Sequence, residues 1–200
     1  MGELSDIEPE LLKHQSALEL GCGNGRLCGR LQELGLKVAG VDESPAMLAL
    51  LPKGIEPIQG AIETLNLGRR WPAVLLPSHL INHPEASVRR SFVECARRHL
   101  ERGGSFYVKR HSTDWLSTVT EGLIGESNGV AYFADTVSRS GAIVSMVLRY
   151  EAYGQSWTQS FSTCALGTGE IEGLLSICGF SNFRWLGNKH LWVAAIASDA

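Results

Sequence analysis

Ala17-Leu-Glu-Leu-Gly-Cys-Gly-Asn-Gly-Arg-Leu27 decides the fold. A short apolar run, Ala17 to Leu20, delivers Gly21, Gly23 and Gly25 into a tight turn, and Leu27, Leu31 and Leu34 then recur on one helical face up to Gly35. Glycines in such a turn let the backbone take positive φ and let a ligand approach without meeting a Cβ. Free amides at the following helix start favour an anionic group. Val38 to Val41 reads as the next strand and ends on Asp42, where a carboxylate can accept hydrogen bonds from both hydroxyls of a ribose. The spacing is Gly-x-Gly-x-Gly, so the third glycine comes one residue too early for a dinucleotide fingerprint. Glu19, just before the loop, suits an amino group and a cationic centre better than a pyrophosphate.

Outward from the loop, strand and helix alternate. Ser44-Pro45 opens a helix to about Leu51, and strands are expected at Ile55 to Gln59, Ala73 to Leu76 and Ser105 to Arg110. A longer helix fills Pro84 to Leu100, closed by Gly103-Gly104. A short helix is expected around Pro9 to His14. Alternation of this kind predicts a doubly wound, mostly parallel α/β sheet. Ala142 to Ala152 and Gln155 to Ala165, rich in β-branched and aromatic residues around Tyr153-Gly154, read as an additional antiparallel β-hairpin. Thr168 is expected to cap a helix through Cys178, followed by strands at Phe183 to Leu186 and Leu191 to Ala197. Ser112 to Ser140 reads as a mobile cover. The whole chain, residues 1–200, is one domain: 16–110 as cofactor-binding half, 111–165 as variable cover and hairpin, 166–200 as C-terminal helix and strands.

Residues 16–110, and more loosely 165–197 with Ile171 to Phe183 as the last helix and its exit, resemble in order the class I S-adenosylmethionine-dependent methyltransferases. Glu19-Leu-Gly-Cys-Gly-Asn-Gly25 is similar to their first motif and Val41-Asp42 to their second. Gln59-Gly-Ala-Ile-Glu-Thr-Leu65 is similar to the adenine loop, Trp71 to His83 to the fourth-strand motif, and Leu100-Glu-Arg-Gly-Gly-Ser-Phe-Tyr-Val108 to the approach to strand five. The resemblance implies a Rossmann-like sheet of the seven-strand methyltransferase type and S-adenosyl-L-methionine as cofactor. It implies cofactor binding by Glu19, Gly21, Cys22, Gly23, Gly25, Asp42, Glu43, Ala61, Ile62, Glu63 and Leu76. The chain departs from the family at Ala61 and Pro72, where acidic residues are usual. Only 16 residues precede the first motif, whereas many members carry a longer segment that folds over the cofactor.

Methyl transfer needs alignment more than side-chain chemistry, because the sulfonium is already activated. A base is required only for a protonated acceptor. His79 and His83 after the fourth strand, and His111 with Asp114 after the fifth, are the candidates, His111 first; capping or packing is the bland alternative for each. His14, His99 and His190 read as structural or surface residues. Trp115, Tyr132, Phe133, Tyr153, Trp157 and Phe161 read first as hairpin packing, then as the wall of an acceptor pocket, or as a homodimer contact.

Eighteen Lys and Arg against 21 Asp and Glu leave a net charge of −3, and paired arginines are isolated, which speaks against a nucleic-acid track. No apolar run nears the roughly 18 residues of a membrane span, and the start of the chain has no secretory pattern, so the expected location is cytoplasmic. The five cysteines form no Cys-x-x-Cys pair, so no metal site is expected. The expected activity is methyl transfer to a small molecule. The alternatives are a cofactor-binding but non-catalytic protein or partner subunit, an RNA or protein methyltransferase, and a nicotinamide oxidoreductase.

Overall fold

Seven strands line up in one sheet in a computed structural model that describes residues 4–198. The elements are α1 (Glu8–Leu11), β1 (Ser16–Leu20), α2 (Arg26–Glu33), β2 (Lys37–Asp42), α3 (Pro45–Leu48), β3 (Glu56–Gln59), β4 (Trp71–Leu76), α4 (Ala86–His99), β5 (Leu100–Lys109), α5 (Thr113–Thr118), β6 (Gly122–Ser127), β7 (Val130–Ser140), β8 (Ile143–Ala152), β9 (Gln155–Cys164), α6 (Thr168–Ile177), β10 (Phe180–Leu186) and β11 (Trp192–Ala197). The sheet order is β10-β11-β5-β4-β1-β2-β3, with β1 to β5 paired in parallel and β11 antiparallel between β5 and β10. The order reverses between β1 and β4, which opens a crevice at the carboxyl ends of both strands.

Strand β1 shows how the sheet is buried on both faces. Leu18 and Leu20 join Val74, Phe92, Ala96 and Leu175 on one side. Ala17 joins Leu27, Leu31, Tyr107 and Trp192 on the other. Side chains alternate along a strand, so one short run serves two layers. Ile7 and Leu11 of the short α1 belong to the second layer. His14 adds a 2.9 Å contact between its Nε2 and the Tyr107 hydroxyl.

Several boundaries differ from expectation. Helix α3 stops at Leu48 rather than Leu51. Gly103 and Gly104 do not separate helix from strand; β5 begins at Leu100, and the glycines sit in an irregularity of its pairing with β4. Thr168 is the first helical residue of α6. The cap before it is Gly167, whose N–H is accepted by Glu170 at 2.8 Å.

The expected hairpin is present as β8 and β9, turning at Tyr153-Gly154 with φ of 52° and 73°. It is half of a four-stranded antiparallel sheet, β6-β7-β8-β9. The stretch from Ser112 to Ser140, expected to be a mobile cover, supplies the other half together with α5. Its turn is Asn128-Gly129, with φ of 51° and 76°, the conformation a two-residue hairpin loop requires. Leu116 and Val119 close the sheet's inner face against Val144 and Met146.

Candidate active site

The glycine loop is held from beneath and from the side. The N–H of Gly25 donates to the Cys22 carbonyl at 3.0 Å, and Gly25 itself, at φ 79°, is the residue before α2. A Cβ at Gly25 would run into Leu51 and approach Pro52 Cδ to 2.9 Å. Asp42, at the end of β2, reaches across to the loop. One carboxylate oxygen accepts the Gly23 N–H at 2.8 Å and the other accepts the Ser44 N–H at 2.9 Å. A carboxylate has about four acceptor sites, so two backbone bonds leave capacity for further donors.

Two cavities flank this arrangement. The smaller, about 210 Å³, is lined by Gly21, Asp42, Glu43, Gly60, Ile62, Glu63, Leu80 and Phe92. Four of the expected cofactor contacts from beyond the glycine loop, Asp42, Glu43, Ile62 and Glu63, therefore meet Gly21 around one space. Glycine is required at Gly21: its φ is 72°, and an added Cβ would lie 2.5 Å from Leu80 Cδ1. A Cβ added at Gly23 would meet nothing within 4 Å.

Other expected contacts lie elsewhere. Glu19 is 2 % exposed and accepts a hydrogen bond from the Cys28 thiol at 2.9 Å, so it braces the loop from below. Cys22, burial and Glu19 together raise the Cys28 thiol far above the ordinary range. Leu76 is fully buried in the core. Glu19, Cys22, Gly23, Gly25, Ala61 and Leu76 line neither of these two cavities.

The larger cavity, about 730 Å³, lies between the carboxyl edge of the main sheet and the inner face of the second. His79, His83 and His111 all line it, whereas Asp114 is exposed in the first turn of α5 and does not. The His79 and His111 rings stack at 3.8 Å between centroids and 10° between planes, and Trp115 stacks on His111 at 5.6 Å. His83 Nδ1 accepts the Glu85 N–H at 3.1 Å, a capping contact at the start of α4. Ser78 and His79 both have positive φ, 56° and 61°, although neither is glycine. Strain of about 1–3 kcal/mol at such residues gathers where a site demands it.

Of the aromatic residues singled out in the sequence, Trp115, Tyr132 and Phe161 line the larger cavity; Phe133, Tyr153 and Trp157 do not. Packing was the first expectation for all six. The two-residue period of the strands separates Tyr132 from Phe133: Tyr132, Leu148, Tyr150, Gln159, Phe161 and Thr163 share the sheet face that looks onto the cavity, whereas Trp157 shares that face but stacks on Tyr150 outside the cavity lining. Sequence reasoning missed Tyr150, Gln159 and Thr163, for which that same alternation was the available signal. It also missed Leu80 and Asn82, for which there was none. Among the described residues, no three of His, Cys, Asp or Glu are gathered as metal ligands.

Burial, reinforced by Lys109, pushes the His111 imidazole down to about 4. A folded value below the ordinary 6.5 means the fold favours the neutral ring. That contribution to stability is complete above pH 6.5 and is lost as pH falls toward 4. His111→Gln is therefore expected to lose about 2 kcal/mol less stability than the native protein between pH 7 and 4.5. Denaturant titrations at the two pH values measure this. Equal losses in both proteins would contradict a buried neutral His111.

The comparisons agree with this geometry. A family model described as "Methyltransferase domain" matches residues 17–104. No curated protein sequence matches the chain. Among solved structures, the chain is similar to CalS10, an amino pentose methyltransferase from Micromonospora echinaspora solved with S-adenosylmethionine bound, at 21 % identity and a TM-score of 0.78, covering 98 % of this chain and 90 % of that one. It is similar to KedS8, a sugar N-methyltransferase from Streptoalloteichus sp., at 18 % identity and a TM-score of 0.79, covering 98 % and 89 %. CcbJ, a methyltransferase from Streptomyces caelestis, gives 19 % identity and a TM-score of 0.77, covering 97 % and 95 %. No helix among the described residues is long and apolar enough to cross a membrane. Residues 17–104, which hold the glycine loop, the Asp42 bridge and strands β2 to β4, thus match a methyltransferase domain, and the whole chain has the fold of these solved methyltransferases.

Proposed function

We propose that this protein is an S-adenosylmethionine-dependent methyltransferase that transfers the methyl group to a small-molecule acceptor seated in the larger cavity, with the cofactor in the smaller. The observation that carries the reading is Leu80, which lines both cavities, so donor and acceptor spaces meet at one side chain. S-adenosylmethionine supplies an electrophilic methyl group on a sulfonium centre. Asp42 would hold the ribose through its remaining acceptor sites, and Ile62 and Phe92 would flank the adenine with apolar surface. Glu43 and Glu63 stand at the rim of the same space.

The chain's own residues then orient the acceptor and take its proton. An imidazole held near 4 is a weak base, so His111 serves as a neutral hydrogen-bonding partner. His79, stacked on it at the wall of the same cavity, is the side chain assigned to receive the proton. His83 is committed through Nδ1 to the α4 cap. Tyr132, Tyr150, Trp115 and Phe161 offer ring faces, while Gln159 and Ser78 offer polar atoms. That mixture suits a hydroxylated ring. CalS10 and KedS8, which act on an amino pentose and a sugar, support an acceptor of this kind.

Mass spectrometry of reactions with S-adenosylmethionine and a panel of amino and hydroxyl sugars tests the proposal. A methylated product is expected, with turnover about a hundredfold lower in His79→Ala and cofactor affinity unchanged. Cofactor binding without any methylated product, or product found only with RNA or protein acceptors, would overturn it.

A further inference from the structure

We infer that Asn82 is a positioning residue for methyl transfer: its buried carboxamide pins the backbone of His111 to the end of β9 and so holds the His79–His111–Trp115 stack against the second sheet. The inference rests on the reading of the larger cavity as the acceptor site. Asn82 is 1 % exposed and stands at the end of the short 3-10 turn Leu80–Asn82. Its Nδ2 donates to the Cys164 carbonyl at 2.8 Å, and its Oδ1 accepts the His111 N–H at 2.8 Å. Its own carbonyl accepts the Thr163 hydroxyl at 3.3 Å. One side chain thus joins the segment after β4, the exit of β5 and the last residue of β9, each contributing to the cavity wall.

The chemistry of an amide is what the place demands. One end must donate to a carbonyl and the other must accept from an N–H, and no other side chain of that size offers both polarities in fixed geometry. A buried donor or acceptor left unpaired is costly, so the bonds are not casual. Arg110 secures the same corner from the other side, donating through Nε to the His190 carbonyl at 3.0 Å and through a terminal nitrogen to the Leu166 carbonyl at 3.2 Å. With the backbone held at both places, the His111 ring has little freedom to leave the stack. The strained Ser78-His79 pair stands just before the Leu80–Asn82 turn and presents the partner ring.

Histidine titration by NMR tests the inference without any acceptor. The charged or titratable groups around His111 are Lys109 and Arg110 just before it in the chain, Asp114 on α5, His79 and His83 after β4, and Arg26 across the cavity; none is altered in the variants below. In the native protein one of the six rings, identified by its loss in His111→Gln, is expected to titrate near 4. Asn82→Ala is expected to release the ring toward water and raise that midpoint by at least about one pH unit toward 6.5. Thr163→Val removes the neighbouring hydroxyl contact without touching the carboxamide, and is expected to leave the midpoint where it was.

An unchanged midpoint in Asn82→Ala, or an equal rise in Thr163→Val, would reduce Asn82 to a structural clamp and overturn the inference. If Asn82→Ala does not fold, amide hydrogen exchange in the native protein decides instead. The His111 N–H should exchange at least about a hundredfold more slowly than an unprotected amide, and free exchange would refute the anchor. Calorimetry with S-adenosylhomocysteine on the same samples separates the two levels. Absence of binding by the native protein would be a failure of the cofactor reading, whereas loss of the midpoint shift alone would be a failure of the role given to Asn82.

Discussion

Asp42→Ala is expected to weaken S-adenosylmethionine binding by about a thousandfold. Two hydrogen bonds to a charged carboxylate are each worth about 1.5–3 kcal/mol, and every 1.4 kcal/mol is about tenfold in affinity. The substitution also removes the acceptor of the Gly23 N–H, so the loop loses the brace that holds it beside the end of β2. Asp42→Asn keeps an oxygen for one of these donors and should fall between the two. The measurement is calorimetric titration, with thermal unfolding alongside to show that each variant is folded. A loss below about tenfold would mean the ribose is held by something else.

Gly25→Val is expected to destabilise the protein by about 4 kcal/mol, roughly a thousandfold in the folding equilibrium. A branched side chain at φ 79° is strained by its own backbone, and it would also meet Leu51 and Pro52. Neither neighbour can yield easily, since Pro52 is a rigid ring and Leu51 packs with the layer that holds Leu27 and Leu31. For a chain of this length the change lowers the unfolding temperature by about 10 °C. Gly23→Ala is the matched control. It has a positive φ of 55° but open space around the new methyl group, so its cost should stay near ~1–2 kcal/mol. Similar losses in both variants would show that backbone conformation, and not the packing of Leu51 and Pro52, makes the loop intolerant.

The half of the molecule built around the glycine loop was legible because its signals are local. A strand, three spaced glycines, a helix face and a carboxylate at the end of the next strand lie within one stretch of chain, and each has a physical reason to be where it is. Asn128-Gly129 carried a hairpin signal of the same strength as Tyr153-Gly154. It was obscured because β6, Gly122–Ser127, holds two glycines and only two large apolar residues, too sparse for an alternating pattern. Leu80 and Asn82 could not be found in the sequence. Their importance comes from what β1, β5 and β9 bring to them across the fold, and an isolated Asn between Ile81 and His83 has the look of a turn residue. Glu19 shows the limit of reading a role from position in a motif alone. Position in the motif assigned it to the ligand, whereas alternation along β1 sends its side chain to the face that holds Cys28.

The direct test of the whole account is a crystal structure of the protein with S-adenosylhomocysteine. The ribose hydroxyls should lie on the Asp42 carboxylate, the adenine between Ile62 and Phe92, and the sulfur beside Leu80 facing the cavity of His79 and His111. A ligand bound with its sulfur turned away from that cavity, or bound away from Asp42 altogether, would contradict the arrangement of donor and acceptor spaces on which everything here depends.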